Sequence, residues 1–203
     1  MRSAIILVGG EARRANGQEK YFFQYQGKTF IERLTDSLRE ITDEIILVAK
    51  SPQQCRRFDA LRGVRCISDI RPGLGPIGGL HAGVLAAKGD LLFVSACDMP
   101  CIERAVVSYL VDAIGDADAA IPSWNEDMLE PLHAVYRRST CLPAIESAIE
   151  AGLWKVISWF PEVKVRLLNA DELKAADPAG LAFWNVNTPA EFAEAERLAL
   201  AND

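Results

Sequence analysis

The amino-acid sequence predicts an α/β fold built around a parallel sheet. Short apolar runs bounded by glycine, proline or aspartate alternate with segments of helical periodicity, which is the pattern of successive βαβ units. The runs are almost continuously apolar, as in strands that are covered on both faces. The 203 residues, 50% hydrophobic and 25% charged, are expected to form one domain, 1–203, without a linker, internal repeat or low-complexity tract.

The first half of the chain is predicted to alternate strand and helix. The apolar run Ser3–Val8 forms the first strand, and Phe30, Ile31, Leu34 and Leu38 recur at the spacing of a helix. The elements predicted after them are a strand over 44–49, a short helix over 54–61, a strand over 64–68, a helix rich in small residues over 77–87 and a buried central strand over 91–96.

In the second half of the chain the predicted elements no longer alternate strictly between strand and helix. The elements predicted there are a helix over 104–114, strands over 118–122 and 132–136, a helix over 141–151, a strand over 163–168 and a last helix over 189–200. No helix separates the first two of these strands, so the second is predicted to run antiparallel to its neighbours. Thr188 is predicted to cap the last helix, with Glu191 at its third position.

Charge and hydropathy exclude two classes of partner. The net charge is −6 and the positive residues gather locally, so nucleic acid is not expected as a partner, whereas a small anionic substrate in a locally positive pocket is. No run approaches the roughly 18 apolar residues of a membrane span, and the N-terminus enters the first strand without room for a signal peptide. We therefore expect a cytoplasmic protein that does not bind membranes.

The five cysteines give no metal-binding or disulfide pattern. Their number is odd and none lie in C-x-x-C spacing, so neither a disulfide framework nor a zinc site is expected. Cys97 and Cys101 are interpreted as packing residues.

The first predicted strand leads into a glycine-rich loop that is followed by cations. The pattern from Leu7 to Lys20 is L-x-G-G-x-x-x-R-x-x-G-x-x-K. Gly9 and Gly10 can present bare backbone N–H groups to anionic oxygens, while Arg14 and Lys20 add positive charge. The spacing is neither that of the P-loop nor the dinucleotide-binding G-x-G-x-x-G. The loop is predicted to cradle a triphosphate.

Two further strand ends carry aspartates that are expected at the same edge of the sheet. Asp69 precedes a glycine-proline loop that contains Gly75 and Gly78. The glycines of this loop fit contact with a base or ribose and close packing of a helix against the sheet equally well. Asp98 ends the central strand, where a hard carboxylate oxygen facing a triphosphate is suited to Mg²⁺.

Together these segments resemble the molybdenum cofactor guanylyltransferase family, MobA. Members carry the Gly-Gly-x-x-x-Arg loop with its lysine, an Asp before a Gly-Pro-hydrophobic-x-Gly loop, and a Cys-Asp-x-Pro strand end. They also carry the Asn-x-Asn-Thr-Pro segment found here from Asn185 to Pro189. The motifs occur in order from Leu7 to about Glu191.

The resemblance implies a fold, a reaction and a set of site residues. The fold is a Rossmann-like, three-layer nucleotidyltransferase domain with a mostly parallel sheet, and the reaction joins the GMP part of GTP to the phosphate of molybdopterin, with Mg²⁺ as cofactor and release of pyrophosphate. Catalytic roles fall to Arg14, Lys20 and Asp98, which also holds the metal. The residues implied in GTP binding are Leu7, Val8, Gly9, Gly10, Lys20, Asp69, Gly75, Gly78 and Asp98, and those implied on the pterin side are Asn185 and Asn187. Other cofactor-biosynthesis proteins or recipient molybdoenzymes are implied as partners.

The sequence departs from the family pattern at three places, where Val8 replaces the usual alanine, Ala15-Asn16 replaces Met-Gly and Glu19 replaces aspartate. Three alternatives stay open. These are a sister enzyme that uses CTP on the same pterin, a transferase that acts on a sugar phosphate or another phosphorylated acceptor, and a non-catalytic GTP- or cofactor-binding protein. The presence of Lys20 and Asp98 favours an enzyme.

Histidine and tryptophan residues are interpreted chiefly as packing residues. His81 and His133 are expected to pack or to contact substrate rather than to catalyse, and His133 is the better candidate for binding. Trp154 and Lys155 could border a pterin.

Overall fold

A computed structural model of the chain describes residues 1–9, 19–25, 27–99, 101–125, 128–186, 188, 190–191, 193–194 and 197. The strands in these ranges are β1 (Arg2–Leu7), β2 (Gln24–Tyr25), β3 (Lys28–Thr29), β4 (Glu44–Ala49), β5 (Val64–Ser68), β6 (Leu91–Ala96), β7 (Ala119–Asn125), β8 (Met128–Leu129), β9 (His133–Arg137) and β10 (Val165–Asn169). The α-helices are α1 (Phe30–Arg39), α2 (Pro52–Cys55), α3 (Pro76–Ala86), α4 (Arg104–Ala113), α5 (Arg138–Glu150) and α6 (Ala170–Leu173). Short 3-10 helices cover Lys20–Phe22, Arg56–Phe58 and Phe160–Glu162.

The central sheet has the strand order β10-β7-β9-β6-β1-β4-β5, and β8 pairs with β7. β1 runs parallel to both β4 and β6, and β4 runs parallel to β5. β9 is antiparallel to both β6 and β7, as the sequence predicts. The carboxyl ends of β1, β4, β5, β6 and β7 therefore lie at one edge of the sheet, where β9 begins. Ligands of α/β proteins bind at this edge.

Helices cover both faces of the sheet. One apolar core joins Leu34 of α1 and Leu110 of α4 to the sheet, and a second core on the opposite face joins Leu80 of α3 and Ile145 of α5. The result is the predicted three-layer α/β architecture with a mostly parallel sheet.

The small residues of α3 let this helix lie close to the sheet. A Cβ atom at Gly83 would stand 2.4 Å from the Cγ2 atom of Ile5 in β1. α1 is fixed at its start by a capping box, in which the Thr29 hydroxyl accepts from the N–H of Glu32 and the Glu32 carboxylate accepts from the N–H of Thr29. The predicted cap of the last helix is also confirmed, because the N–H of Glu191 donates to the Thr188 hydroxyl over 3.2 Å.

Two expectations are wrong in this region of the fold. Cys55 of α2 and Cys66 of β5 form a disulfide, with Cα atoms 5.4 Å apart. The pairing depends on α2 lying against β5, which the cysteine spacing does not show. The helix predicted over 54–61 is also shorter, since Pro52 starts α2 and a 3-10 turn at Arg56–Phe58 follows it.

Among the described residues, no helix combines the length and the apolar composition needed to cross a bilayer.

Candidate active site

A cleft of about 670 Å³ opens at the carboxyl edge of the sheet. Its walls are formed by the ends of β1, β4 and β6, the loop between β5 and α3, the first turn of α3, and Leu132 just before β9. The predicted site residues among its walls are Leu7, Gly9, Asp69, Gly75 and Asp98. The structure therefore brings together the three strand ends that the sequence analysis selects.

The end of β1 is packed tightly against the end of β4. The N–H of Val8 donates to the carbonyl of Val48 over 3.0 Å, and the Val8 side chain is fully buried. A Cβ atom at Gly9 would lie 3.0 Å from the backbone nitrogen of Lys50, so this approach needs glycine. Val8 can therefore face a ligand in the cleft only through its backbone.

Part of the predicted triphosphate loop lies outside the described residues. Gly10 and Arg14 belong to that part. Lys20 begins the 3-10 helix Lys20–Phe22, but its side chain also lies outside the described residues. Their predicted contacts with phosphate stay predictions.

Gln54 connects the two ends of this loop, and sequence analysis missed it. Its side-chain nitrogen donates to the carbonyl of Val8 over 3.0 Å and to the hydroxyl of Tyr21 over 2.8 Å. Its side-chain oxygen accepts from the N–H of Lys50, a residue that lines the cleft, over 2.8 Å. The amide is buried.

Tyr21 continues this network toward the surface. Burial, together with a hydrogen bond that its hydroxyl donates to Glu19, raises the pKa of Tyr21 above its usual value. Glu19 in turn forms an ion pair with Arg57 on the 3-10 turn after α2. The residues just after the predicted cradle are thus held against the α2 region.

Asp69 lies against the first turn of α3. Its Oδ1 atom accepts from the N–H of Arg71 over 2.7 Å, and a Cβ atom at Gly78 would stand 3.1 Å from its Oδ2 atom. Gly75, with a φ of 71°, precedes Pro76 at the start of α3 and faces the cleft. Gly78 is buried and serves the close packing of α3, whereas Gly75 borders the open space of the cleft, where its predicted contact with the nucleotide stays a prediction.

Asp98 follows β6 at the centre of the edge. Its backbone carbonyl accepts from the N–H of Val186 over 2.8 Å, which ties the C-terminal segment to the site. Its Oδ1 atom is buried and has no hydrogen-bond partner among the described residues. A buried carboxylate oxygen with unused acceptor capacity beside a cleft fits a hard divalent cation. No group of three or more histidine, cysteine or acidic residues placed to hold a metal occurs in the described part of the chain.

Glu130 is a second residue that sequence analysis missed, and it lies near Asp98. Ser95 of β6 pairs with His133 of β9, and the N–H of Ala96 donates to the carbonyl of Leu132 over 3.0 Å. Both segments then turn, with the N–H of Met99 donating to the carbonyl of Ala96 and the N–H of His133 donating to the carbonyl of Glu130, and the carboxyl groups of Asp98 and Glu130 lie close enough for their charges to interact. Burial raises the pKa of the Glu130 carboxyl, and the charge of Asp98 adds to the rise.

Trp124 is held by the same carboxyl group. Its indole N–H donates to Glu130. Its ring meets the ring of Phe183 edge to face, with centroids 5.0 Å apart, and Phe183 meets the His133 ring at 4.8 Å. His133 is fully buried, so it packs inside the protein and does not contact a ligand in the cleft. Burial lowers the pKa of His133 to about 3.

The C-terminal segment has one exposed predicted residue. Asn185 is exposed next to Val186, the buried residue that bonds to Asp98. The buried carboxylate of Asp177 supports this segment by accepting from the N–H groups of Leu181 and Ala182 at 3.0 and 3.1 Å. Asn187 lies outside the described residues.

Comparison with family models gives a match over most of the chain. Residues 4–165 match the model of the MobA-like NTP transferase domain. A molybdenum cofactor guanylyltransferase of Desulfosudis oleivorans is 35% identical over 195 residues, which cover 96% of this chain and 94% of the relative. A probable molybdenum cofactor guanylyltransferase of Methanosarcina mazei is 38% identical over 92% of this chain and 86% of the relative.

Solved structures share the architecture. The crystal structure of molybdopterin-guanine dinucleotide biosynthesis protein A from Archaeoglobus fulgidus superposes with a TM-score of 0.79 at 29% identity and covers 99% of this chain and 100% of its own. A 4-diphosphocytidyl-2C-methyl-D-erythritol synthase from Anaerococcus prevotii has a TM-score of 0.70 at 15% identity over 98% of this chain and 96% of its own, which is a likeness of fold alone.

Proposed function

Because the chain belongs to the MobA-like NTP transferase family, we propose that it transfers the GMP part of GTP to the phosphate of molybdopterin, with release of pyrophosphate. The observation that carries this proposal is the cleft in which Gly9, Asp69 and Asp98 meet from three strand ends. The names of the relatives supply the guanylyl group and the pterin acceptor.

The reaction is an in-line displacement at phosphorus. An oxygen of the acceptor phosphate forms a bond to the α-phosphorus of GTP, and the bond from that phosphorus to the bridging oxygen of pyrophosphate breaks. No side-chain nucleophile is needed, so the protein contributes mainly orientation and charge.

Each part of the proposed site has a task in this reaction. The backbone of Leu7, Val8, Gly9 and Gly10 binds the triphosphate, and Arg14 and Lys20 balance charge that grows on the α-phosphate and the leaving group. Asp69 and the Gly75 loop bind the nucleoside, and Gly78 lets Asp69 pack on α3. Asn185 and Asn187 bind on the pterin side.

Asp98 would hold Mg²⁺ through the carboxylate whose buried oxygen lacks a hydrogen-bond partner in the described part of the protein. When bound, this ion supplies positive charge that stabilises the phosphate oxygens during transfer. The Glu130 carboxyl group makes the electrostatic potential around Asp98 more negative, and this also favours binding of a cation there.

The test is pyrophosphate release in the presence of Mg²⁺ and molybdenum-loaded molybdopterin, with GTP, CTP, ATP and UTP offered separately. We expect release that requires both GTP and the pterin. A preference for CTP would identify a cytidylyl transferase instead. Silence with every nucleotide, from a protein that still binds GTP, would contradict catalysis on this acceptor.

A further inference from the structure

We propose that Trp124 is the stacking surface for the pterin ring system of the acceptor. This inference rests on the proposed function, because it names the part of the same site that receives the second substrate. Three observations carry it, namely the position of Trp124 relative to Asp98, the contacts that fix its ring, and its exposure.

The strand order sets Trp124 on the opposite side of Asp98 from the nucleotide-binding residues. Asp69, Gly9 and Asp98 follow β5, β1 and β6, which occur in that order from one edge of the sheet. Trp124 stands near the end of β7, two strands beyond β6 and roughly 10 Å away across the sheet. Asp98, on the wall of the cleft, therefore lies between the nucleotide-binding strand ends and Trp124, where the reacting phosphates of the two substrates would meet.

The Trp124 ring is held before any ligand arrives. Its N–H is bonded to Glu130, whose carboxyl group lies near Asp98, and its ring packs against the Phe183 ring with the two centroids 5.0 Å apart. Phe183 is itself packed on the buried ring of His133 at 4.8 Å. An aromatic side chain that is fixed in this way loses little conformational entropy when a ligand stacks on it.

Trp124 nevertheless remains 36% exposed, so part of its apolar surface stays open to solvent. Trp159, which also packs against aromatic rings, is by contrast fully covered, at 0% exposure. A planar heteroaromatic ring stacks on the face of an indole. The pterin of the proposed acceptor contains one such ring, its pyrimidinone, while the guanine of GTP is assigned to the other side of Asp98.

The test compares three variants by steady-state kinetics with each substrate varied in turn. Trp124→Ala should raise the KM for molybdopterin by about 5- to 150-fold, the range found for losing one base–aromatic stack, and leave the KM for GTP unchanged. Trp124→Phe, which keeps an aromatic face but loses the bond to Glu130, should retain most of the affinity. Trp154→Ala tests the competing position, because Trp154 is 55% exposed on the loop after α5 and is the tryptophan that the sequence analysis sets beside a pterin. It should leave the KM for molybdopterin near the wild-type value if Trp124 is the stacking surface.

Two results would overturn the inference. One is a wild-type KM for molybdopterin in Trp124→Ala, and the other is an equal rise in the KM for GTP, which would mean that Trp124 stacks on guanine or supports the whole site. An effect of Trp154→Ala equal to that of Trp124→Ala would likewise assign the pterin elsewhere.

Binding separates this inference from the proposed function. If the wild-type protein fails to transfer GMP, titration with molybdopterin can still be followed through quenching of tryptophan fluorescence. Quenching that persists in Trp154→Ala and disappears in Trp124→Ala supports the stacking surface even when catalysis is absent. Equal quenching in both variants contradicts it.

Discussion

The side-chain amide of Gln54 donates a hydrogen bond of 3.0 Å to the backbone carbonyl of Val8, 46 residues away. The same nitrogen donates to the Tyr21 hydroxyl over 2.8 Å. Val8 and Tyr21 stand on either side of the glycine-lysine segment that is proposed to bind the triphosphate. One buried amide therefore holds both ends of this segment in place.

Replacement of Gln54 should affect nucleotide binding as well as stability. In Gln54→Leu the carbonyl of Val8 and the N–H of Lys50 lose the Gln54 side chain as a partner, whereas the Tyr21 hydroxyl keeps its bond to Glu19. Each buried polar group left unpaired costs about 1–3 kcal/mol. We expect a lower free energy of unfolding and a KM for GTP that rises at least several-fold, measured by denaturant titration and by steady-state kinetics.

Gln53→Leu is the matched control, since Gln53 is the exposed neighbour on the same helix. It should leave both quantities near their wild-type values. A Gln54→Leu protein with wild-type stability and an unchanged KM for GTP would show that this amide does not hold the loop.

Asp98→Asn should abolish most activity without weakening the fold. The substitution keeps the shape of the side chain but removes the charge that is proposed to hold Mg²⁺, and losing one contact of this kind commonly costs ~10²-fold or more in kcat. Repulsion from Glu130 also falls, so the unfolding midpoint should stay level or rise. Activity is measured as pyrophosphate release across a Mg²⁺ series.

Asp116→Asn provides the control for loss of one negative charge. Asp116 is exposed, pairs with Lys164, and lies before the start of β7, at the end of the sheet away from the cleft. It should retain wild-type turnover. Comparable loss of activity in both variants would indicate a general charge effect and remove Asp98 from the proposed metal site.

Much of the fold could be predicted from local sequence signals. Leu91–Ala96 is an almost continuous apolar run and Val64–Ser68 is a short run that mixes apolar and polar residues, each is followed within two residues by an aspartate, and the structure confirms the predicted bounds of both. Asp98 could be selected because strand ends of a parallel sheet share one edge. These signals depend on residues close together in the sequence.

The supporting residues could not be found in this way. Gln54 acts on Val8 and Tyr21, and Glu130 acts beside Asp98, so each role exists only after distant segments are folded together. The Cys55–Cys66 disulfide was missed for the same reason. A glutamine inside a short helix and a glutamate before a proline carry no local pattern that distinguishes them from surface residues.

His133 should make the protein sensitive to acid. Its folded pKa of about 3 lies below the value near 6.5 of an unfolded chain, so the unfolded state binds a proton that the folded state excludes. Stability should therefore fall as the pH drops from about 6.5 toward 3, by about 1.4 kcal/mol per pH unit from this group. His133→Leu removes the group, and the difference between the two proteins isolates its share.

The measurement is the free energy of unfolding by denaturant at several pH values, for the wild type and His133→Leu. Above about pH 7 the difference between them should be constant, and below pH 6.5 it should shift progressively in favour of the variant. Parallel pH profiles over this range would mean that the imidazole is protonated in the folded state.

Two glycines of α3 should respond in opposite directions to the same substitution. A helix gains about 1 kcal/mol when an interior glycine becomes alanine, if the methyl group has room. At Gly79 a Cβ atom would meet Leu7 Cδ2 at 3.4 Å, which is ordinary contact, whereas at Gly83 it would stand 2.4 Å from Ile5 Cγ2. Gly79→Ala should therefore unfold at a slightly higher denaturant concentration than the wild type. Gly83→Ala should lose about 1–3 kcal/mol, because the methyl group pushes α3 away from β1. Equal denaturant midpoints of unfolding for the two variants would contradict the close approach of α3 to β1 at Gly83.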